Sequence, residues 1–598
     1  MNAYIPIIIN WNDFNLEKNQ ISLTEFVENN SIKIRKTYID LINLLGEKKI
    51  NNVSLIELLK LDNNYSIWWM SLLYEKNFYK SPQVLNSLKV IALQYLILDK
   101  KFSNIKIINL PNICNKSIII LSKKLKINIE LKNLNCKKEN ILKKILCKFS
   151  PNLLRSIFTL LKYSYFAKKV KNSQNNDNLN NDDVITIVSY FLNYNNNLLS
   201  KNLFYSDYWG NLNNTIKKIN YKIRWLHIIS DKNLDYKKFK KNFEIINADN
   251  NIEQHHFLES NITNKIIINT LFSYLKIYFR ALFFKKQKYF KTNEYDVEYL
   301  WDILKFDLFS SISGPNAIRN ILIHNLFNSF FEKNLNHSKL LYLHEGQGWE
   351  KSLIYLFKKN NENIKKIIGV IQSPIRFWDL KLFDNFKSNS SLEYALPFPD
   401  KLAINTYNGI EMIQSYGINK TKLVAVEPLR YKKINIQKPK NNSSRNFTIL
   451  ILGSFVHSTT LELINSIEII NNNIQIVYKF RAHPGNKIAN IKKSIYLDQN
   501  TSIEMSIAES DLLIIAGDSS VAVDSYLAKK NIIIFLGSGN LNYSPLRKNY
   551  GVKFASNKKE LNSYIKTHID NLFETKLLGL KKIYIDSKNN EKWEELLR

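Results

Sequence analysis

At 598 residues, with 45% apolar and 12% aromatic side chains, the chain can bury several large cores, which excludes global disorder. Its 85 Lys and Arg against 52 Asp and Glu leave a net charge of +33, which suits a phosphorylated substrate or an anionic membrane surface. Zinc-finger spacing, an aromatic RNA-binding motif and a recognition helix are all missing, so nucleic acid is not an expected partner.

Cys114, Cys136 and Cys147 are too few and too scattered for a disulfide framework or a zinc site, and they point to a reducing cytoplasm. The opening MNAYIPIIINWNDF lacks a basic n-region and a long apolar run, so no signal peptide is expected. No window approaches about 18 uncharged apolar residues, so no membrane span is expected either.

Residues 1–170 read as an α/β region. Tyr4–Asn10 is a strand, Ser66–Tyr74 and Val84–Leu98 are buried helices, and Lys106–Leu110, Lys116–Lys126 and Asn128–Leu131 make strand, helix, strand. From Cys136 to Lys169 the chain is basic and amphipathic, with Ser150-Pro151 as a helix start. Residues 171–183, KNSQNNDNLNNDD, are a polar linker.

A second domain is expected over 183–435. Val184–Ser189 and Arg224–Ile229 are strands, with Tyr205–Gly210 between them in helix or loop. Residues 265–290 form a long helix rich in aromatic and basic residues, either docked on the fold or lying on anionic lipid. Lys339–Leu343 is a strand ending in HEGQGWE, Lys366–Ile371 one ending in Gln372-Ser373-Pro374, and Lys401–Ile404 another. A helix over Asn408–Tyr416 precedes Val424–Val426 and the string EPLRY. This alternation predicts a parallel sheet. After a linker at 436–445, a third domain over 446–598 opens on the strand Phe447–Leu452 with Gly453-Ser454 at its first turn.

The most informative stretch is Lys479–Ser544. A strand over Ile474–Phe480 ends near His483-Pro484, and Asp511–Ala516 is a strand running into Gly517-Asp518-Ser519-Ser520. A helix over Val521–Lys529 and a strand over Asn531–Phe535 complete a βαβ unit. Ligands of open α/β sheets bind beyond the carboxyl ends of the strands. The serine pair at a helix start and the histidine at a strand mouth therefore predict a phosphate site, with Ser454, Arg481 and Gly517 beside it. Lys479, Arg376, Arg430 and Tyr543 read first as structural residues, and Asp518 and Asp524 as caps or metal ligands. No Asp-x-Asp pair is present, so no metal or cofactor is expected.

His483-Pro484, Ser519-Ser520 and Glu345-Gly346 are similar to three motifs shared by bacterial sialyltransferases and Kdo transferases. HEGQGWE, SPIRFWD and AVEPLRY also resemble bacterial surface-carbohydrate biosynthesis proteins. The resemblance covers about residues 340–550. It implies an α/β fold of two Rossmann-like domains (GT-B type), here with an extra N-terminal α/β region. It further implies an inverting glycosyltransferase of surface polysaccharide that uses a CMP-activated sugar acid. Glu345 would be the general base, His483 would serve the leaving phosphate, and Ser519 with Ser520 would bind it. Many relatives carry two acidic residues before the glycine, whereas this chain has His344-Glu345. The partners so implied are a nucleotide-activated sugar, a glycan or lipid-linked acceptor and an anionic membrane surface, in the cytoplasm. Two alternatives stand beside this: a CDP-glycerol-type polyol-phosphate transferase, whose usual Asp-Tyr-Ser-Ser is here Gly-Asp-Ser-Ser, and a non-catalytic membrane-docked scaffold.

Overall fold

The computed structural model describes the chain except residues 1–5, 13–19, 48, 51, 63, 134–151, 172–178, 180–182, 192–193, 200–202, 230–240, 242–243, 245, 247–252, 286–297, 334, 336, 361–365, 385–395, 431–445, 471–474, 487–490, 492–493, 500, 548–550, 571–582 and 587–589. Cys136, Cys147, the helix start at Ser150-Pro151 and the 436–445 linker lie outside the described residues, as does nearly all of the 171–183 linker.

Three parallel sheets organise the molecule. The first joins β1 (Ile7–Asn10), β2 (Gln20–Ser22), β3 (Asn104–Leu110) and β4 (Asn128–Asn133) in the order β2-β1-β3-β4. The expected helix over Ser66–Tyr74 is instead a 3-10 turn, Ile67–Met70, followed by Leu72–Glu75. Ser71 breaks it by taking an extended conformation and accepting the Tyr74 N–H on its hydroxyl at 3.2 Å.

The middle sheet contains β5 (Val184–Tyr190), β6 (Lys222–Ile228), β7 (Glu253–Phe257), β8 (Lys339–Leu343), β9 (Lys366–Ile371), β10 (Lys401–Ile404) and β11 (Leu423–Ala425). They run in the order β7-β6-β5-β8-β9-β10-β11. The last sheet contains β12 (Phe447–Leu452), β13 (Ile476–Arg481), β14 (Tyr496–Leu497), β15 (Leu512–Ala516), β16 (Asn531–Phe535) and β17 (Lys553–Ala555). Its order is β14-β13-β12-β15-β16-β17. Both sheets therefore reverse direction between their first and fourth strands, the doubly wound Rossmann order, and each has its crevice there. The fold is α/β with two Rossmann-like domains and an N-terminal α/β region.

Burial explains how the three units join. One face of the middle sheet, carrying Leu340, Tyr342 and Ile367, shares a single apolar core with the N-terminal region. The other face, around Trp209 and Trp225, is closed by Trp593, Leu596 and Leu597 of the C-terminal helix Glu591–Leu597. The chain thus returns from the last sheet to the middle one, and Lys592 N–H and Trp593 Nε1–H both donate to Glu427 of the EPLR string at 2.9 Å.

Strand β7 escapes a sequence reading because it is EQHHF, polar in composition yet buried. Its His255 Nδ1 lies 2.9 Å from His227 Nε2, and the two rings stack with Trp225. Burial drives the His227 pKa down to about 3 and that of His255 well below its usual 6.5. Both rings are therefore neutral in the fold, while the unfolded chain takes up protons below pH 6.5. The stability they allow is whole above 6.5 and is lost as pH falls, by about 1.4 kcal/mol per pH unit for each excluded proton. We expect His255→Gln to show a shallower loss of urea midpoint than wild type between pH 6.5 and about 5. Equal slopes would contradict this account.

Candidate active site

Strand β8 ends at Leu343, and the loop 344–347 leads into the helix Gly348–Asn360. The fully buried Glu350 shapes that loop. Its carboxylate accepts the N–H groups of Glu345 and Gln347 at 2.9 Å and of Gly346 at 3.2 Å, and it lies 3.2 Å from His344 Nδ1. Gly346 adopts φ +69°, and a Cβ there would sit 2.6 Å from the Lys381 carbonyl, so only glycine fits. Glu75, from the N-terminal region, completes the ring by accepting the Gly348 N–H at 2.7 Å. Glu345 itself is half-buried. Burial raises its pKa, with Glu350 adding to the rise while Lys381 and Arg430 oppose it. A carboxylate tuned upward in this way is a stronger base than one in water.

In the last sheet, His483 follows β13. Its Nδ1 accepts the Gly485 N–H at 3.1 Å, which places the proton of the neutral ring on Nε2. Burial lowers its pKa and Asp518 partly opposes this, which favours the neutral ring. Phe455 packs edge-on against it at 5.6 Å. The Gly517–Ser520 turn follows β15, with the Ser519 N–H closing onto Ala516 O at 3.0 Å. Among the described residues, the N–H groups of Ser520 and Val521 donate to no protein acceptor. The helix that follows is Val521–Leu527, two residues shorter than the expected Val521–Lys529, because Lys529 turns to φ +55°.

Arg430, which the sequence presents as structural, is exposed near both edges. It lies over the Tyr208 ring at 5.0 Å and within electrostatic range of Glu345, His483 and Asp524. Asp524 is pushed up to about 7 by burial, against the pull of Arg430. Arg376 crosses between the domains, its Nη2 donating to Asp518 O at 3.1 Å.

Two expected site residues have other work. Arg481 donates to Thr501 O at 2.8 Å and pairs with Asp498 at 3.7 Å, so it braces the 498–506 loop instead of offering its charge to a ligand. Ser454 is fully buried, and its hydroxyl accepts the Val456 N–H at 2.8 Å, so it shapes the first turn. Lys479 pairs with Glu509 at 3.6 Å.

A cleft of about 540 Å³ opens at the carboxyl edge of the last sheet, walled by Phe455, Gly517, Asp518, Glu462 and Tyr543. Its remaining wall, Phe78 and Tyr79, comes from the N-terminal region, and Phe78 stacks on Tyr543 at 3.8 Å. His483 and the serine pair are not in its lining but adjoin it through Asp518. Nothing in the local sequence pattern could have revealed Phe78 or Tyr79, which lie more than 430 residues from Asp518. Among the described residues no cluster of three or more His, Cys, Asp or Glu could hold a metal ion.

No family model matches the chain, and no curated protein matches it. Solved structures similar to it include Anabaena HepE in complex with UDP and glucose, at 8% identity and TM-score 0.34, covering 65% of this chain and 90% of that one. The lipopolysaccharide outer core galactosyltransferase WaaB aligns at 10% identity and TM-score 0.33 over 64% and 91%. Acinetobacter baumannii MurG aligns at 8% and 0.30 over 65% and 91%. The two-domain architecture itself stands on the strand orders and registers of this chain.

Proposed function

We propose that this chain is an inverting glycosyltransferase of surface polysaccharide synthesis that moves a sialic-type or Kdo sugar acid from a CMP-activated donor in the cytoplasm. The observation that supports it most is the crevice. Glu345 follows β8 and Ser519-Ser520 follow β15, each at the switch point of its sheet, His483 follows the neighbouring β13, and Arg430 lies within electrostatic range of Glu345 and His483.

In this reading the acceptor hydroxyl oxygen attacks the anomeric carbon of the donor while Glu345 takes its proton. The bond to the phosphate oxygen breaks, and its electron pair leaves with CMP. The growing phosphate charge meets His483 Nε2–H, the serine hydroxyls, the Ser520 and Val521 N–H groups and the Arg430 cation. The cleft walled by Phe455 and Tyr543 would take the nucleoside. The acceptor would be a glycan or lipid-linked chain approaching from the β8 side.

Thermal stabilisation by CMP, CDP, UDP and GDP tests the donor. Nucleotide at about 100 times its Kd should add about 2.7 kcal/mol of stability, and His483→Ala should cut the CMP shift. A shift with CDP alone would favour a polyol-phosphate donor. A shift with UDP or GDP alone would remove the CMP assignment, and no shift with any of them would favour the scaffold.

A further inference from the structure

Two helices packed on the middle domain carry large apolar side chains on their outer faces as well as on their inner ones. Asn152–Lys171 turns Ser156, Leu160, Ser164, Ala167 and Val170 inward. Four further large apolar side chains face out: Leu154 is 58% exposed, Phe158 68%, Leu161 59% and Tyr165 66%. Their spacing of four, three and four residues places them on one stripe. Asn264–Lys285 buries Ile266, Thr270, Tyr274, Ile277 and Ala281 while exposing Ile268, Phe272 and Phe279. Both helices pack on the same helix, Pro315–Phe331, and touch one another, so the stripes lie side by side.

The charge of this face is one-sided. Asn152–Lys171 carries five Lys or Arg and Asn264–Lys285 four, of which Arg280 turns away to the Leu58 and Lys60 carbonyls, and neither helix contains an Asp or Glu. A protein partner complementary to so many exposed Phe, Leu and Tyr side chains would itself be apolar, and it would leave the lysines facing nothing. A lipid surface with anionic headgroups satisfies both features, since the aromatic and leucine side chains enter the acyl boundary while the lysines meet phosphate and carboxylate. Among the described residues no helix is long and apolar enough to cross a membrane, so contact would be from one side.

We propose that the paired outer faces of Asn152–Lys171 and Asn264–Lys285 are a docking surface for an anionic lipid bilayer. The helix Pro315–Phe331 beneath them packs on Gly348–Asn360, whose first turn carries the Glu345 loop. Docking would thus hold the acceptor side of the crevice at the membrane. The inference does not rest on the donor chemistry proposed above.

The test is co-sedimentation of the full chain with phosphatidylcholine vesicles, with and without roughly one-third phosphatidylserine. We expect binding to the anionic vesicles alone, falling steeply as salt rises from about 0.1 to 0.5 M. Phe158→Ser/Phe272→Ser, at two exposed positions, should lower the partition constant by at least about tenfold with an unchanged Tm. Lys162→Glu/Lys168→Glu should do the same. No binding by wild type, or equal binding by wild type and both variants, would overturn the proposal. So would a wild-type dimer that Phe158→Ser/Phe272→Ser converts to monomer, because the face would then be covered by a second copy. Vesicle binding needs no nucleotide, so its failure and the failure of the CMP shift are read separately.

Discussion

Glu345→Gln should lower kcat for transfer from a CMP-activated donor by about 10²- to 10⁴-fold while leaving the CMP-induced melting shift intact. The substitution is nearly isosteric. The loop conformation is set by backbone N–H groups donating to Glu350, not by the Glu345 side chain, so the glutamine should sit where the glutamate did. What is lost is the lone pair that takes the acceptor proton. The pH profile supplies a second reading. Burial raises the Glu345 pKa, so wild-type activity should fall on the acid side as pH drops through that raised value, and the variant should lack this limb. A kcat within about threefold of wild type would mean that another carboxylate acts as base. Asp524, pushed up to about 7 and within range of the same arginine, would be the first to examine. The opposite result, loss of CMP binding with kcat retained at saturation, would move Glu345 from chemistry to donor recognition.

The parts of this molecule that sequence reveals are those made by neighbours in the chain. Runs such as KLLYL and DLLIIA are apolar because both faces of a parallel strand are covered, and each was legible as a strand with its polar loop beyond it. Glu345, His483 and Ser519-Ser520 could be placed on strand ends for that reason. Strand β7 is hidden from the sequence because its burial is carried by histidines that give up their charge, which no hydropathy pattern shows. The helices Trp301–Ser313 and Pro315–Phe331 are joined at Gly314-Pro315, a helix start with proline at its first turn. Glu350 is silent in the sequence, since nothing local says that a glutamate will accept three N–H groups from the preceding turn. Arg430 and the Phe78–Tyr79 wall were out of reach for a deeper reason. Their roles exist only once the crevice has closed around them, across more than 80 residues in one case and more than 430 in the other.

Glu28→Ala should cost about 3 kcal/mol and loosen the crevice from a distance. Glu28 belongs to the N-terminal region, yet its Oε1 accepts Trp378 Nε1–H at 3.0 Å and the Asn542 N–H at 2.7 Å. Its Oε2 pairs with Arg547 at 2.6 Å. One carboxylate therefore joins all three units: its own region, the SPIRFWD loop after β9, and the loop after β16. Arg547 is 11% exposed and lies over the Phe377 ring at 4.3 Å, so removing Glu28 strands a largely desolvated cation as well as two N–H donors. The alternative is that water enters and screens the site, as at exposed ion pairs, in which case the loss would stay below about 1 kcal/mol. Urea unfolding separates the two. If the junction holds the units together, Glu28→Ala should lower the midpoint and split one transition into two as the last domain uncouples. Adding Arg547→Met should recover part of the loss, because the stranded charge goes with it. The same variant bears on function. Asn542 precedes Tyr543, which stacks on Phe78 across the cleft, so loosening this junction should shrink the CMP-induced melting shift although Glu28 is no part of the cleft wall. A full CMP shift in a destabilised Glu28→Ala would show that the N-terminal region braces the fold without shaping the nucleotide site. A reduced shift would make that region a working wall of it.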